Sequence, residues 1–126
     1  MSFKAIQTNQ APAAIGPYSQ AIQAQNLLFL SGQIGLDPHN GNLVAGGFEA
    51  QLQQIFKNIQ AVVEAAKGRL ENIAKLTVYV TDLKDFAAVN ELMKQVFKEP
   101  YPARTTIQVT ALPREALVEL DAIVVL

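Results

Sequence analysis

The sequence predicts an α+β fold, a mixed β-sheet with two helices packed on one face, in the order β-β-β-α-β-α-β-β. Three patterns carry that prediction. Phe48, Leu52, Ile55, Phe56, Ile59, Val62, Val63 and Ala66 recur at steps of three and four, the apolar stripe of an amphipathic helix. Ile73 to Val80 alternates with period two: Leu76, Val78 and Val80 face one way, Thr77, Tyr79 and Thr81 the other. The final apolar run, Ile123-Val124-Val125, leaves no polar side to its strand, so the second face of the sheet is expected to be apolar as well.

Taken in order, Phe3 to Gln7 reads as a short first strand. Asn9 to Pro17, with Pro12, Gly16 and Pro17, reads as a loop. Tyr18 to Ala24 and Leu27 to Ile34 form a hairpin about a turn at Asn26. Asp37-Pro38-His39-Asn40-Gly41 is dense in turn residues and places His39 in solvent. The first helix follows, with Gly68 where a C-terminal cap is expected. After the strand Ile73–Val80, Asp82 caps a second helix, whose buried stripe is Leu83, Phe86, Val89, Asn90, Met93 and Phe97. Pro100 and Pro102 end it. Thr105 to Val109 and Leu117 to Val125 are the last strands, joined through Leu112-Pro113-Arg114-Glu115.

The chain has 126 residues, enough for one domain with a real core. Half of its residues are hydrophobic and 17% are charged, the balance of a globular protein. A formal net charge of -1, with no cluster of Lys and Arg, argues against a nucleic-acid surface. The absence of cysteine excludes disulfides, thiolate catalysis and Cys-based zinc sites, and a single histidine excludes a His-cluster metal site within one chain. Met1 to Ile6 lacks the apolar region of a signal peptide, and no apolar run approaches the ~20 residues of a membrane span. A cytoplasmic protein is expected. Two helices are too few to cover both faces of the sheet, so self-association is the economical way to bury the second.

Arg104 opens one strand and Glu119 lies within the next, each among apolar neighbours, so the two are expected side by side as one polar site. A guanidinium presents a planar fork that suits a carboxylate, and a carboxylate beside it can orient a water or take its proton. For Arg104 a structural salt bridge and a carboxylate anchor stand as equal readings. Glu119 and Asp121 share one strand face and are costly to bury unless paired, so an ion pair competes with a water-positioning role. Ser31 and Gly32 end an apolar strand, as a bulge or as a place where a ligand comes close to backbone. Tyr18 follows Gly16-Pro17 and is either core or the wall of a pocket. Asn90, on the buried stripe, must find polar partners.

Ala11-Pro12-Ala13-Ala14-Ile15-Gly16-Pro17-Tyr18-Ser19-Gln20, Ser31-Gly32-Gln33-Ile34, Val78-Tyr79-Val80-Thr81-Asp82-Leu83, Phe86-Ala87-Ala88-Val89-Asn90 and Pro102-Ala103-Arg104 together resemble the RidA/YjgF family of reactive-intermediate (enamine/imine) deaminases. The resemblance runs from about Ile6 to Val125. It implies a single RidA-like domain over residues 1–126, a chorismate-mutase-like fold, and a homotrimer with three sites in the clefts between subunits. It implies the activity of a 2-iminobutanoate/2-iminopropanoate deaminase: water adds to a 2-imino acid, such as the tautomer of 2-aminoacrylate, and a 2-keto acid and ammonia leave. By the same resemblance Arg104 binds the substrate carboxylate and Glu119 positions the attacking water. Tyr18 and Ser31 line the pocket, Gly32 permits close approach, and Asn90 supports. Backbone groups near Thr106 are expected to position the substrate nitrogen. No metal or organic cofactor is implied.

Two positions depart from the family pattern. Thr105-Thr106 stands where many members have Ser-Cys, and Asp121 where a second glutamate is common. Two rival functions share the fold: a non-enzymatic module that binds 2-keto acids in the same cleft, and an RNA-directed activity, against which the net charge argues.

Overall fold

The computed structural model describes residues 2–126; Met1, at the head of the segment read above for a targeting signal, lies outside the described residues. The elements follow the expected order: β1 (Lys4–Ile6), β2 (Ala21–Ala24), β3 (Leu27–Gln33), α1 (Gly47–Ala65), β4 (Ile73–Val80), α2 (Phe86–Val96), β5 (Ala103–Gln108) and β6 (Val118–Val125). Short 3-10 turns precede β4 and α2 and join β5 to β6. No helix is long and apolar enough to cross a membrane among the described residues.

The six strands form one sheet in the order β1-β2-β3-β6-β4-β5. β4 and β5 run parallel, because α2 crosses over between them; the other pairs are antiparallel. This order corrects one expectation. β5 and β6 are consecutive in sequence but not neighbours, since β4 lies between them. β4 takes β6 on one side and β5, reached through the α2 crossover, on the other.

Alternation sorts the side chains. Leu76, Val78 and Val80 of β4 meet Ala122, Leu120 and Val118 of β6 across the ladder, and all six are buried against the helices. α1 lies over β3 and β6 and contributes Leu52, Ile55, Phe56, Ile59, Val62 and Val63 to the core. Val89 and Met93 of α2, and Phe97 just past its end, join them, with Phe97 edge-on to Phe56 at 5.7 Å between ring centroids. Two buried polar residues of α1 are satisfied. Gln51 Oε1 accepts the Leu117 N–H at 2.9 Å, and Asn58 Nδ2 donates to the Leu36 carbonyl at 2.9 Å.

The expected stripe of α2 is narrower in the structure. Leu83 and Phe86 are exposed and Asn90 is half-buried, so the start of this helix faces outward rather than into the core.

The opposite face of the sheet carries no helix. Ile22, Phe29 and Ile123 form a row across β2, β3 and β6, and Ile107 stands beside Tyr79 on β5. Phe29 and Ile107 are each 42% exposed, so the face is uncovered in one chain. It is apolar over β2, β3 and the end of β6, as the final strand predicts, but its centre carries Lys75, Thr77, Tyr79, Glu119 and Asp121.

α1 ends one residue earlier than Gly68 suggests. Lys67, not the glycine, holds the left-handed conformation (φ 65). The Lys67 and Gly68 N–H groups close onto the Glu64 and Val63 carbonyls, each at 2.9 Å, which is a Schellman closure. Gly68 is needed for space instead, because a Cβ there would meet Leu126 Cδ2 at 2.7 Å. A β-carbon in the left-handed region is penalised, so Lys67→Gly is expected to stabilise the fold by about 1 kcal/mol, read as a higher urea midpoint.

Candidate functional site

β3 pairs with β6 regularly up to Leu30 and then slips, so that Gln33 sits opposite Leu120. The bulge carries Ser31 and Gly32 and turns them toward Glu119. A Cβ on Gly32 would run into Glu119 Oε2, with Cδ at 2.9 Å. The glycine is therefore required by the closeness of the carboxylate and not by a positive φ. The Ser31 hydroxyl donates to the Ser19 carbonyl at 2.6 Å, and the Ser31 N–H donates to the Gln20 carbonyl at 3.0 Å. Its proton is committed to the loop that holds Tyr18, which leaves oxygen lone pairs for a ligand. Gln20, buried, tightens the same loop through Thr8 and Pro12.

A cavity of about 290 Å³ results, with Ile15, Tyr18, Gly32, Leu36, Arg114 and Glu119 in its walls. Arg114 reaches it from the turn before β6, where Arg114 and Glu115 both hold positive φ (59 and 58). Arg114 Nη1 donates to the Gly41 carbonyl at 3.1 Å, tying that turn to the one at 37–41. On the uncovered face Glu119 pairs with Tyr79 of β4, and Asp121 with Thr77. The Tyr79 hydroxyl donates to Asp121 Oδ2 at 2.9 Å. Burial, and then the negative charge of Asp121, push the Glu119 carboxyl above the usual glutamate range.

Arg104 is elsewhere. It pairs with Leu76, on the helix side of the sheet, and its guanidinium lies 5.1 Å from the centroid of the Phe86 ring. Asn90, Met93, Lys94, Tyr101 and Pro102 surround it in an open groove. Thr106, two residues on, faces the same way beside Val78; its Oγ1 is buried and, among the described residues, without a hydrogen-bond partner.

The site residues therefore fall into two clusters. Tyr18, Gly32 and Glu119 line one, with Ser31 behind its wall, bonded to the loop that holds Tyr18; Asn90 and Arg104 line the other, with Thr106 two residues along β5 but outside the groove's lining. The expectation that Arg104 and Glu119 stand side by side does not hold within one chain. Their strands are separated by β4, they lie on opposite faces, and their partners Leu76 and Tyr79 are three residues apart, roughly 10 Å along the strand. Phe86, Ile15 and Arg114 were not singled out from sequence. Phe86 had one usable signal: it sits four residues before Asn90, on the same helix face. Ile15 and Arg114 had none, because turns far apart in sequence bring them in. Among the described residues no three metal-ligating side chains converge, and His39 is exposed as expected.

A mixed six-stranded sheet with both helices on one face and polar clusters at its borders defines a chorismate-mutase-like α+β protein. The family profile described as Endoribonuclease L-PSP matches residues 8–126, and the chain belongs to that family, the RidA/YjgF family. It is 48% identical over 122 residues to the 2-iminobutanoate/2-iminopropanoate deaminase of Mus musculus, covering 97% of this chain and 90% of that one. The crystal structure of RidA from an Antarctic Psychrobacter superposes with a TM-score of 0.94 at 47% identity, covering 98% of this chain and 99% of that one. The structure of E. coli TdcF with bound serine superposes with a TM-score of 0.92 at 41% identity, covering 98% of each chain.

Two outcomes test this geometry. Gly32→Ala must displace the Glu119 carboxylate, and kcat/KM for the family reaction is expected to fall roughly 10- to 100-fold with an unchanged circular dichroism spectrum. Glu119→Gln removes a carboxylate whose raised pKa marks its ionised form as unfavourable in the fold. The folded state holds that proton more tightly, so the cost appears as pH rises through the unfolded-state pKa and is complete above the folded one. At neutral pH the variant is expected to lose turnover yet melt slightly higher than wild type.

Proposed function

We propose that this chain hydrolyses reactive 2-enamino and 2-imino acids, such as 2-aminoacrylate, to 2-keto acids and ammonia, in clefts between the subunits of a cytoplasmic homotrimer. The names of the curated relatives support the reaction. The observation that carries the site is its division: an anchor suited to a carboxylate and a carboxylate suited to water stand on opposite sheet faces of one chain. A neighbouring copy, seated on the uncovered apolar face, is the simplest way to bring Arg104 of one subunit to Glu119 of the next. A small amino acid bound to TdcF fits the same ligand size and the same carboxylate.

In this reading Arg104, steadied on Phe86, takes the substrate carboxylate in a two-point grip. The imine carbon then faces the Glu119 side of the cleft. Glu119 orients a water and accepts its proton as the oxygen bonds to that carbon. That proton passes to the nitrogen to give a carbinolamine; the carboxylate then moves the hydroxyl proton to the same nitrogen, the C–N bond breaks as the carbonyl forms, and ammonia leaves. Backbone groups near Thr106 position the substrate nitrogen, and Ser31 steadies the loop that carries Tyr18. The step needs only proton handling and positioning, so no metal or organic cofactor is invoked. The uncatalysed reaction is already appreciable, so the acceleration required is modest.

A coupled assay tests the proposal. A serine or threonine dehydratase generates the enamine in place, and its disappearance is followed with and without this protein. Wild type is expected to accelerate the decay, Arg104→Ala to abolish the acceleration, and Glu119→Gln to reduce kcat more than KM. Mixing the two inactive variants under exchange conditions should restore activity to about one-quarter of wild type, because one cleft in four then combines an intact Arg104 with an intact Glu119. No restoration would place both residues in one subunit's site and sink the shared-cleft reading. Keto-acid binding without any hydrolysis would favour the metabolite-binding module, the reading to which the serine in TdcF also lends support.

A further inference from the structure

The deaminase reading leaves one hydrogen-bonded pair on the uncovered face, Tyr79 and Asp121, without a task. Asp121 lies two residues beyond Glu119 on the same side of β6, and its carboxylate is held by the Tyr79 hydroxyl. Tyr79 is the cross-strand partner of Glu119, yet its proton goes to Asp121. We propose that Asp121, tethered by Tyr79, is a positioning residue for the reaction: its fixed negative charge keeps Glu119 a strong enough base to take a proton from the attacking water.

The geometry supports this from each element that faces Glu119. β6 supplies Asp121 and β4 supplies Tyr79. β3 brings only Ser31 and Gly32, which carry no charge. The loop before β2 brings Tyr18, and the turn before β6 brings Arg114, whose guanidinium is tied to the Gly41 carbonyl. In the proposed assembly Arg104 of a neighbouring subunit completes the set and draws Glu119 toward ionisation. Lys75, the nearest cation along β4, reaches the Thr77 and Thr105 hydroxyls at 3.5 and 3.4 Å. Among the described residues no ion pair closes on Asp121. Its charge is therefore unneutralised within the chain, and the Tyr79 hydroxyl keeps it in place two residues from the base. Desolvation adds to the same effect on Glu119, and Tyr79 is itself held in its neutral, donating form, chiefly by the hydrogen bond to Asp121. A water is a weak acid, so a more basic carboxylate has more driving force to deprotonate it.

This inference rests on the deaminase reading, and the experiment separates the two. The carboxyl carbon of Glu119 is followed by 13C NMR through a pH titration, assigned by its loss in Glu119→Gln, and kcat/KM is measured over the same range. Asp121→Asn keeps an acceptor for Tyr79 and removes only the charge. The Glu119 midpoint is expected to fall by on the order of half a pH unit, with the acid limb of kcat/KM falling in step, kcat reduced and KM little changed. Asp121→Glu should return both to near wild type, which a merely structural role would not predict. An unmoved midpoint in folded Asp121→Asn overturns the proposal. Should that variant not fold, Asp121→Ser removes the charge with a smaller polar side chain; a midpoint lowered as expected for the Asn variant supports the proposal, and an unmoved one overturns it. A midpoint that shifts as expected in a protein with no deaminase activity at any pH overturns the deaminase reading alone.

Discussion

Everything that makes a site here depends on the parity of β4 and β6. The two central strands pair so that every second residue locks under α1 and α2, and that burial permits one register. A slip of one residue would carry Glu119 and Asp121 into the core and push Leu120 and Ala122 out of it. The cost of burying two unpaired carboxylates forbids this. The position of the candidate base is thus a by-product of the apolar packing on the other side of the same strand.

The same parity separates the two halves of the site. Arg104 is opposite Leu76 and so belongs to the helix side; Glu119 is opposite Tyr79 and so belongs to the uncovered side. Ile15 and Tyr18 remain exposed beside one half, Phe86 and Tyr101 beside the other. Large apolar side chains flanking polar groups at both borders are what a shared cleft requires of each chain: a wet, orienting centre with a dry rim. In the proposed shared cleft, folding and catalysis would be coupled, since the uncovered face also carries Glu119.

The Glu119 environment illustrates a conflict between stability and chemistry. The carboxylate is partly desolvated, pressed over Gly32, and placed near a second carboxylate that takes the available hydroxyl donor. Each feature works against the ionised form in the fold, and each makes it a better proton acceptor. The supporting shell is relaxed by contrast: the buried amides of Gln20, Gln51 and Asn58 all find partners, and they hold the loops that border the cavity.

Much of this was legible in the chain itself, because it depends on local periodicity. The order of elements and the span of β4 follow from alternation, three-and-four spacing and turn residues; Asp82, expected to cap the second helix, instead caps the 3-10 turn before it, accepting the Lys84 N–H, while α2 starts after Asp85. The family resemblance supplied the candidate site residues, Arg104 and Glu119 first among them. What only the tertiary structure decided was adjacency. That β5 pairs with β4 rather than β6, that Arg104 and Glu119 lie on opposite faces, that Phe86 leaves the core to support a guanidinium, and that Tyr79 chooses Asp121 are consequences of strand order and register. Those are set by which surfaces pack best over the whole chain, and no local window of sequence contains that competition.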